Sequence, residues 1–300
     1  MEHRIETIKN CPICGVKKSK KVIETKDFFL SNEAFSISKC QKCGFHFTNP
    51  RPTADHLGPY YESEEYISHS NSNQGLFGFL YQRIRKYTLR KKYQLVNSYK
   101  SGHRVLDIGC ATGQLLNEFK CRGWESVGIE PDPDARTYAE EKYHLKVLPE
   151  EQMNALVDHS FDVISMWHVL EHVSDLDQRM KDLQRLIKAN GVLFIALPNI
   201  ESWDAQHYGK HWAGLDLPRH LYHFNKANVK MLFEKHAFTV CKILPMKFDA
   251  YYVSLLSEKY KKNPLYYPAA FFKGFYSNLK AKKSEPNHSS LIYVIKPKIV

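Results

Sequence analysis

Between Val105 and Gly113 the chain reads VLDIGCATG, an apolar run of Val105, Leu106 and Ile108 that stops at a glycine-flanked segment. The pattern predicts a buried strand ending in a tight turn. QLLNEFKCRG follows with Leu115, Leu116 and Phe119 at helical spacing, completing a strand, glycine turn and helix. The rhythm continues down the chain, with strands expected at SVGIE, LKVLP, FDVISM, VLFIALPNI, FTVCKILPM and SLIYVIKPK. One helix is expected from Leu76 to Tyr99, with a basic face of Arg83, Arg85, Lys86, Arg90, Lys91 and Lys92. Another opens after Asp132 as N-cap with Pro133 at its first position. A third runs along LDQRMKDLQRLIKANG and closes on Asn190-Gly191. Before the last strand lies an insertion at about 246–290 that mixes tyrosine and phenylalanine with lysine. Short strands alternating with amphipathic helices predict an α/β fold with a largely parallel sheet.

Composition fits that outline. Three hundred residues, 43% of them hydrophobic, suit one α/β domain plus a small accessory module. No apolar run approaches the ~20 residues of a membrane span. The opening MEHRIETIKN lacks the apolar core of a signal peptide, so a cytoplasmic location is expected. The net charge of +11 is uneven: +4 over residues 1–50, +4 over 51–100, −4 over 101–244 and +7 over 245–300. Basic flanks around an acidic centre suit a phosphate-bearing substrate, an anionic membrane surface or nucleic acid, and equally an ordinary solvated surface.

Four of the seven cysteines form CPICG at 11–15 and CQKCG at 40–44. Two C-x2-C-G knuckles at this spacing predict a zinc ribbon in which Cys11, Cys14, Cys40 and Cys43 close a structural four-thiolate site, with redox chemistry at the C-x-x-C pairs as the alternative. A module of ~45 residues draws on the metal for folding energy that its small core lacks. Asn49-Pro50 and Arg51-Pro52 force extended backbone. They suggest a ribbon over 1–50, a linker and helix over 51–100, and the main domain over 101–300. Tyr60, Tyr61 and Tyr66 in the linker are either lid aromatics over a ligand or wedges holding the ribbon.

Candidate chemistry gathers at the strand ends. The segment Asp107-x-Gly109-x-x-x-Gly113 resembles motif I of the class I S-adenosylmethionine-dependent methyltransferases. Glu130 lies 17 residues past Gly113, where a carboxylate can accept both ribose hydroxyls. The segment after strand four, WHVLEHVSD, resembles the same family's hVLEHv segment. HWAGLDLPRHLYHFN at 211–225 resembles the W-x-x-x-D-x-P-R-H-L-x-x-F signature of the type 11/23 methyltransferase group. A related group, zinc-ribbon sugar C-methyltransferases, has Glu-His where this chain has Arg219-His220, which puts sugar C-methylation in doubt. An arginine at that place could instead clamp a carboxylate or phosphate.

The resemblance implies a Rossmann-like seven-stranded class I methyltransferase sheet and S-adenosyl-L-methionine as cofactor. It implies cofactor contacts from Asp107, Gly109, Gly113, Glu130 and Pro131. Glu150, or equally Glu151, would stand beside the adenine amine, with Trp167 and His168 at the methionine end. His172 and His220 are the candidate general bases, because imidazole titrates near working pH. Asp175 can start the following helix. H-x-x-E-H at 168–172 also matches an inverted zinc-protease motif, but such a site needs a long helix and a third ligand, whereas here a strand ends. The acceptor implied is a small molecule, glycan or lipid-linked intermediate, at oxygen or carbon. The alternative is an RNA methyltransferase that holds nucleic acid through the ribbon and basic flanks. The N-P-P-Y or D-P-P-Y of amino-methyltransferases acting on bases is absent. The aromatic insertion suits a lid, a helix resting on a membrane surface, or a subdomain packed on the sheet edge.

Overall fold

The structure, a computed structural model, describes residues 4–61, 75–99, 102–281 and 286–298. Before the main domain come β1 (Ile5–Glu6), β2 (Ser19–Lys26), β3 (Ala34–Cys40), β4 (His46–Thr48), β5 (Arg51–Pro52) and α1 (Gly75–Asn97). The main domain continues with β6 (Arg104–Ile108), α2 (Gln114–Lys120), β7 (Glu125–Ile129), α3 (Pro133–Tyr143), β8 (Lys146–Leu148) and β9 (Phe161–Trp167). There follow α4 (Leu176–Leu186), β10 (Ile187–Pro198), α5 (Trp203–Tyr208), β11 (Tyr222–His223), α6 (Lys226–Lys235) and β12 (Phe238–Met246). The last elements are α7 (Asp249–Tyr260), α8 (Tyr266–Ala281) and β13 (Ser290–Pro297).

Seven strands form the main sheet in the order β12-β13-β10-β9-β6-β7-β8. Strands β8, β7, β6, β9 and β10 run parallel, and β13 is antiparallel to both β10 and β12. Central strands are buried on both faces, as their near-continuous apolar composition requires; Val105, Leu106, Val163 and Ile164 are fully covered. Every parallel strand ends on the same edge, and the chain leaves it there through the glycine turn, Glu130 and the His168–His172 segment. That edge positions the site.

Two local expectations hold in detail. The Asp132 side chain caps α3 by accepting the Asp134 N–H, with Pro133 at the first position, and Asp175 caps α4 by accepting the Gln178 N–H. One does not. Helix α4 stops at Leu186 rather than running to Asn190-Gly191, because Ile187 is already extended and pairs with Phe161 of β9. Asn190-Gly191 instead falls in a register shift of β10 between Ile187 and Val192. A Cβ on Gly191 would meet Ile187 Cδ1 at 2.6 Å, so the glycine lets the irregular strand fold against itself.

The ribbon strands β2, β3 and β4 make an antiparallel sheet whose fourth strand, β11, comes from the main domain. Tyr222 of β11 pairs with Phe47 and His223 with His46. Behind this seam Arg219, 1% exposed, ion-pairs Asp27 and Asp216 and donates to the Tyr60 carbonyl. The linker tyrosines divide between the two roles: Tyr60 Oη donates to Glu33 on the ribbon, and Tyr61 reaches the site. Tyr66 lies outside the described residues.

Candidate active site

Strand β6 delivers Asp107, 3% exposed, to the sheet edge. Burial raises the carboxyl to about 7, although Ser165 Oγ donates to it at 2.5 Å. The chain then turns at Gly109 (φ +70°) and Gly113 (φ +72°), a left-handed conformation that side chains resist. A Cβ on Gly109 would collide with Val169 Cγ2, and one on Gly113 would stand 2.7 Å from Leu145 Cδ1. The turn is therefore packed between the segment after β9 and the α3–β8 connection.

Glu130 follows β7 and clasps this turn. One oxygen accepts the Ala111 N–H at 2.7 Å and the other accepts the Asp132 N–H at 3.1 Å. Burial outweighs these bonds and raises its pKa. Each oxygen has a second lone pair, so the carboxylate can hold the loop and still accept from a ligand diol. The carbonyls of Glu130 and Pro131 both accept from Arg136. Glu150 begins a short 3-10 turn and ion-pairs Arg179. Trp167 ends β9 with its indole N–H buried and without a hydrogen-bond partner among the described residues, and Lys92 of α1 lies 4.2 Å from its ring centroid. Burial lowers the Lys92 pKa, against the attraction of Asp107 and Asp249. Its place within an Arg-Lys-Lys run gives no signal that this one cation turns inward.

After β9 the backbone takes φ +60° at His168, a left-handed conformation. His168 lies between Glu171 Oε1 (3.3 Å) and Asp249 Oδ2 (2.9 Å). Burial opposes its charge, but the two carboxylates hold its pKa up at about 10. Asp249, on the insertion, has no motif to announce it.

His172 and His220 meet edge to face with ring centroids 4.6 Å apart. The Leu221 N–H donates to the Glu171 carbonyl at 2.8 Å, joining the segments that carry them. His172 Nδ1 lies 3.1 Å from the Arg219 carbonyl and 2.9 Å from Tyr61 Oη, and His220 Nδ1 lies 3.0 Å from the Gly214 carbonyl. A carbonyl only accepts, so each Nδ1 carries the proton in these bonds and each neutral ring keeps its lone pair on Nε2. Burial and the neighbouring His220 push the His172 pKa down to about 4.

The four ribbon cysteines form a separate cluster, their sulfurs within 4.8 Å of one another. Cys11 and Cys43 sulfurs are 3.5 Å apart, and those of Cys14 and Cys40 are 3.6 Å apart. Tetrahedral zinc with Zn–S of about 2.3 Å needs edges of about 3.8 Å, so the donor set fits that ion. Burial raises Cys11 and takes Cys43 to about 11, whereas the Cys43 and Lys42 amides overcome burial and bring Cys40 to about 7.

A glycine turn at the end of the first parallel strand, an acid after the second and a seven-stranded sheet with one reversed strand define the Rossmann-like methyltransferase fold. The chain belongs to the methyltransferase-domain family, whose model matches residues 81–243. It is similar to the ubiquinone biosynthesis O-methyltransferase of Pelagibacter ubique, 34% identical over 149 residues that cover 46% of this chain and 61% of that protein. The Rhodopseudomonas palustris (strain HaA2) protein of the same name is 30% identical over 145 residues, 45% of this chain and 56% of that one. The chain thus spans less than two thirds of these two relatives. The mitomycin 7-O-methyltransferase MmcR has a similar fold (TM-score 0.50, 15% identity), covering 82% of this chain and 60% of that one.

Proposed function

We propose that this protein transfers the methyl group of S-adenosyl-L-methionine to an oxygen of a small-molecule acceptor. The observation that carries the reading is the Gly109–Gly113 turn clasped by Glu130 at the carboxyl edge of a methyltransferase-family sheet. The O-methyltransferase names of the two relatives support oxygen over carbon, and small molecules over the RNA alternative. Bound there, the cofactor supplies a methyl group on an electrophilic sulfonium sulfur. Glu130 would hold the ribose diol, with Asp107, Gly109, Gly113 and Pro131 shaping that pocket and Glu150 on the adenine side. Trp167 and His168 would flank the methionine end, where the indole N–H, without a partner among the described residues, offers a donor. His172 and His220 face the acceptor, and its hydroxyl proton is handled at their Nε2 edge.

The four cysteines would hold one structural zinc, and a cytoplasmic, reducing setting suits their thiolates. The proposed division keeps 1–50 as ribbon, 51–100 as linker and covering helix, and 101–300 as the transferase domain. Among the described residues no helix is long and apolar enough to cross a membrane. Helix α8 nevertheless presents aromatics and lysines to solvent, which supports a peripheral contact with anionic lipid and an acceptor that is lipid-linked or lipid-soluble.

Calorimetry tests the cofactor assignment. Glu130→Ala should weaken S-adenosylmethionine binding by about 1.5–3 kcal/mol, the scale of a hydrogen bond to a charged group. Unchanged affinity removes Glu130 from the ribose, and equal or tighter binding of NAD by the wild type sinks the methyltransferase reading.

A further inference from the structure

Glu171 is 0% exposed, and its Oε2 is buried with no hydrogen-bond partner among the described residues. Its other oxygen is occupied by His168 Nδ1 at 3.3 Å. An unpaired carboxylate oxygen in such a place costs several kcal/mol unless something positive meets it. His172 and His220 are its neighbours, and one donor atom from each of the three residues lies within 4.8 Å of the others. The carbonyls of Arg219 and Gly214 engage the Nδ1 atoms, which leaves the Nε2 atoms of both rings for a ligand, that of His220 with Asp216 Oδ2 3.9 Å away. With both rings neutral, two lone pairs and a carboxylate have no proton among them and repel one another. Each is also oriented from behind by a hydrogen bond on its far side, as ligands of a bound metal are.

We propose that Glu171, His172 and His220 bind a divalent transition-metal ion, distinct from the ribbon zinc, at the acceptor end of the site. Two neutral imidazoles and a carboxylate suit Zn²⁺, Mn²⁺ or Co²⁺ and leave coordination positions open. Ligands at about 2.1 Å from a common ion lie about 3–3.5 Å apart, so modest side-chain adjustments close the site. His220, the third donor, comes from the separate 219–221 segment, held to the Glu171–His172 segment by the Leu221 N–H, while His168 is taken up by Glu171 and Asp249 and stays outside the set. The inference rests on the methyltransferase reading and deepens it. An ion at this position would take over the role given above to the two Nε2 lone pairs: it would lower the proton affinity of an acceptor hydroxyl that reaches it, so that the proton leaves to solvent.

The test uses the full reduced chain, already carrying one equivalent of zinc, titrated with Zn²⁺ and separately with Co²⁺. The wild type should take up a second equivalent, and its cobalt spectrum should lack the thiolate-to-metal charge-transfer band of the ribbon site. Glu171→Gln should retain only the first equivalent. So should His172→Asn and His220→Asn, in which an amide N–H can replace the Nδ1 donor but no Nε2 remains. Three variants guard against one failing to fold, and circular dichroism reports on that. A wild type saturating at one equivalent, or a second equivalent that survives in every folded variant, overturns the proposal. Cofactor affinity on the same samples separates the two readings. If S-adenosylmethionine binds but the second metal does not, only the metal site falls; if S-adenosylmethionine does not bind at all, the methyltransferase reading falls with it.

Discussion

Asp27 and Arg219 lie 192 positions apart, yet their carboxylate and guanidinium meet at 3.0 Å with almost no exposure on either side. Asp216 shares the same guanidinium, and Arg219 also stands 4.9 Å from the Phe29 ring centroid. Asp27→Asn would leave that charge partly unpaired in the interior, which costs about 3 kcal/mol, the low end for a broken buried pair because Asp216 remains. Burial opposes the Asp27 charge, but Arg219 and the Ser31 and Phe29 amides win and hold its pKa below the ordinary value. Its stabilisation is therefore complete above the unfolded aspartate pKa of about 3.9 and is lost as pH falls through the lower folded value. Urea melts should show the wild-type advantage at pH 7 and a smaller one near pH 3; an equal gap at both would remove the charge argument. None of this is legible from local sequence. Asp107, Gly109, Gly113 and Glu130 can be read because one turn and one strand end place them. Arg219 reads in sequence as a clamp for an anionic acceptor, whereas the fold commits it to the ribbon.

At the scale of elements, α8 has its faces reversed. Ala270, Gly274, Ser277 and Ala281 are buried, and Gly274 lies so close to Tyr251 of α7 that a Cβ would stand 2.9 Å from the tyrosine Cα. That small-residue face lets the helices approach, and it turns Phe272, Phe275, Tyr276 and Leu279 outward with exposures of 66, 49, 42 and 42%. Spacings of three, one and three residues make these one stripe. Lys273 and Lys280 lie on the same helix, and Lys280 is 5.2 Å from the Tyr276 ring centroid. Aromatics interleaved with lysines suit the interface of an anionic bilayer. Co-sedimentation with vesicles containing phosphatidylserine should pellet the wild type, and Phe272→Ser with Phe275→Ser should reduce the bound fraction roughly tenfold or more, at about 1.4 kcal/mol per decade. Equal pelleting of wild type and variant, or none by either, removes the membrane role. The stripe is visible as composition, but which face is buried depends on α7. The end of α4 shows the same limit: Asn190-Gly191 has the chemistry of a helix stop, yet pairing of Ile187 with Phe161 takes the residues into strand β10.

Across the whole molecule, the ribbon and the transferase share a sheet. Thr48 Oγ1 donates to the His220 carbonyl at 2.6 Å, the Thr48 N–H donates to the Leu221 carbonyl at 3.0 Å, and Asn228 Nδ2 donates to the Cys43 carbonyl at 3.0 Å. The two Thr48 bonds end on the segment that carries His220, the proposed acceptor side, whereas the Gly109–Gly113 turn and Glu130 are held mainly by β7, α3 and β8. Loss of the zinc ion proposed for the ribbon should therefore divide the site along this line. In Cys40→Ser one thiolate is gone, zinc content should fall, and the ribbon should lose the energy that its small core cannot replace. Hydrogen exchange should then rise over β3, β4 and 219–224 while β6 and β7 keep their protection. S-adenosylmethionine affinity should stay within about twofold of wild type, and methyl transfer should drop by roughly 10²-fold, because His172 and His220 lose the backing that aims them at the acceptor. If exchange rises only within residues 4–50 and transfer is unaffected, the ribbon is an appendage. If cofactor affinity falls together with transfer, the two halves of the site are one cooperative unit, and the division drawn from these hydrogen bonds is wrong.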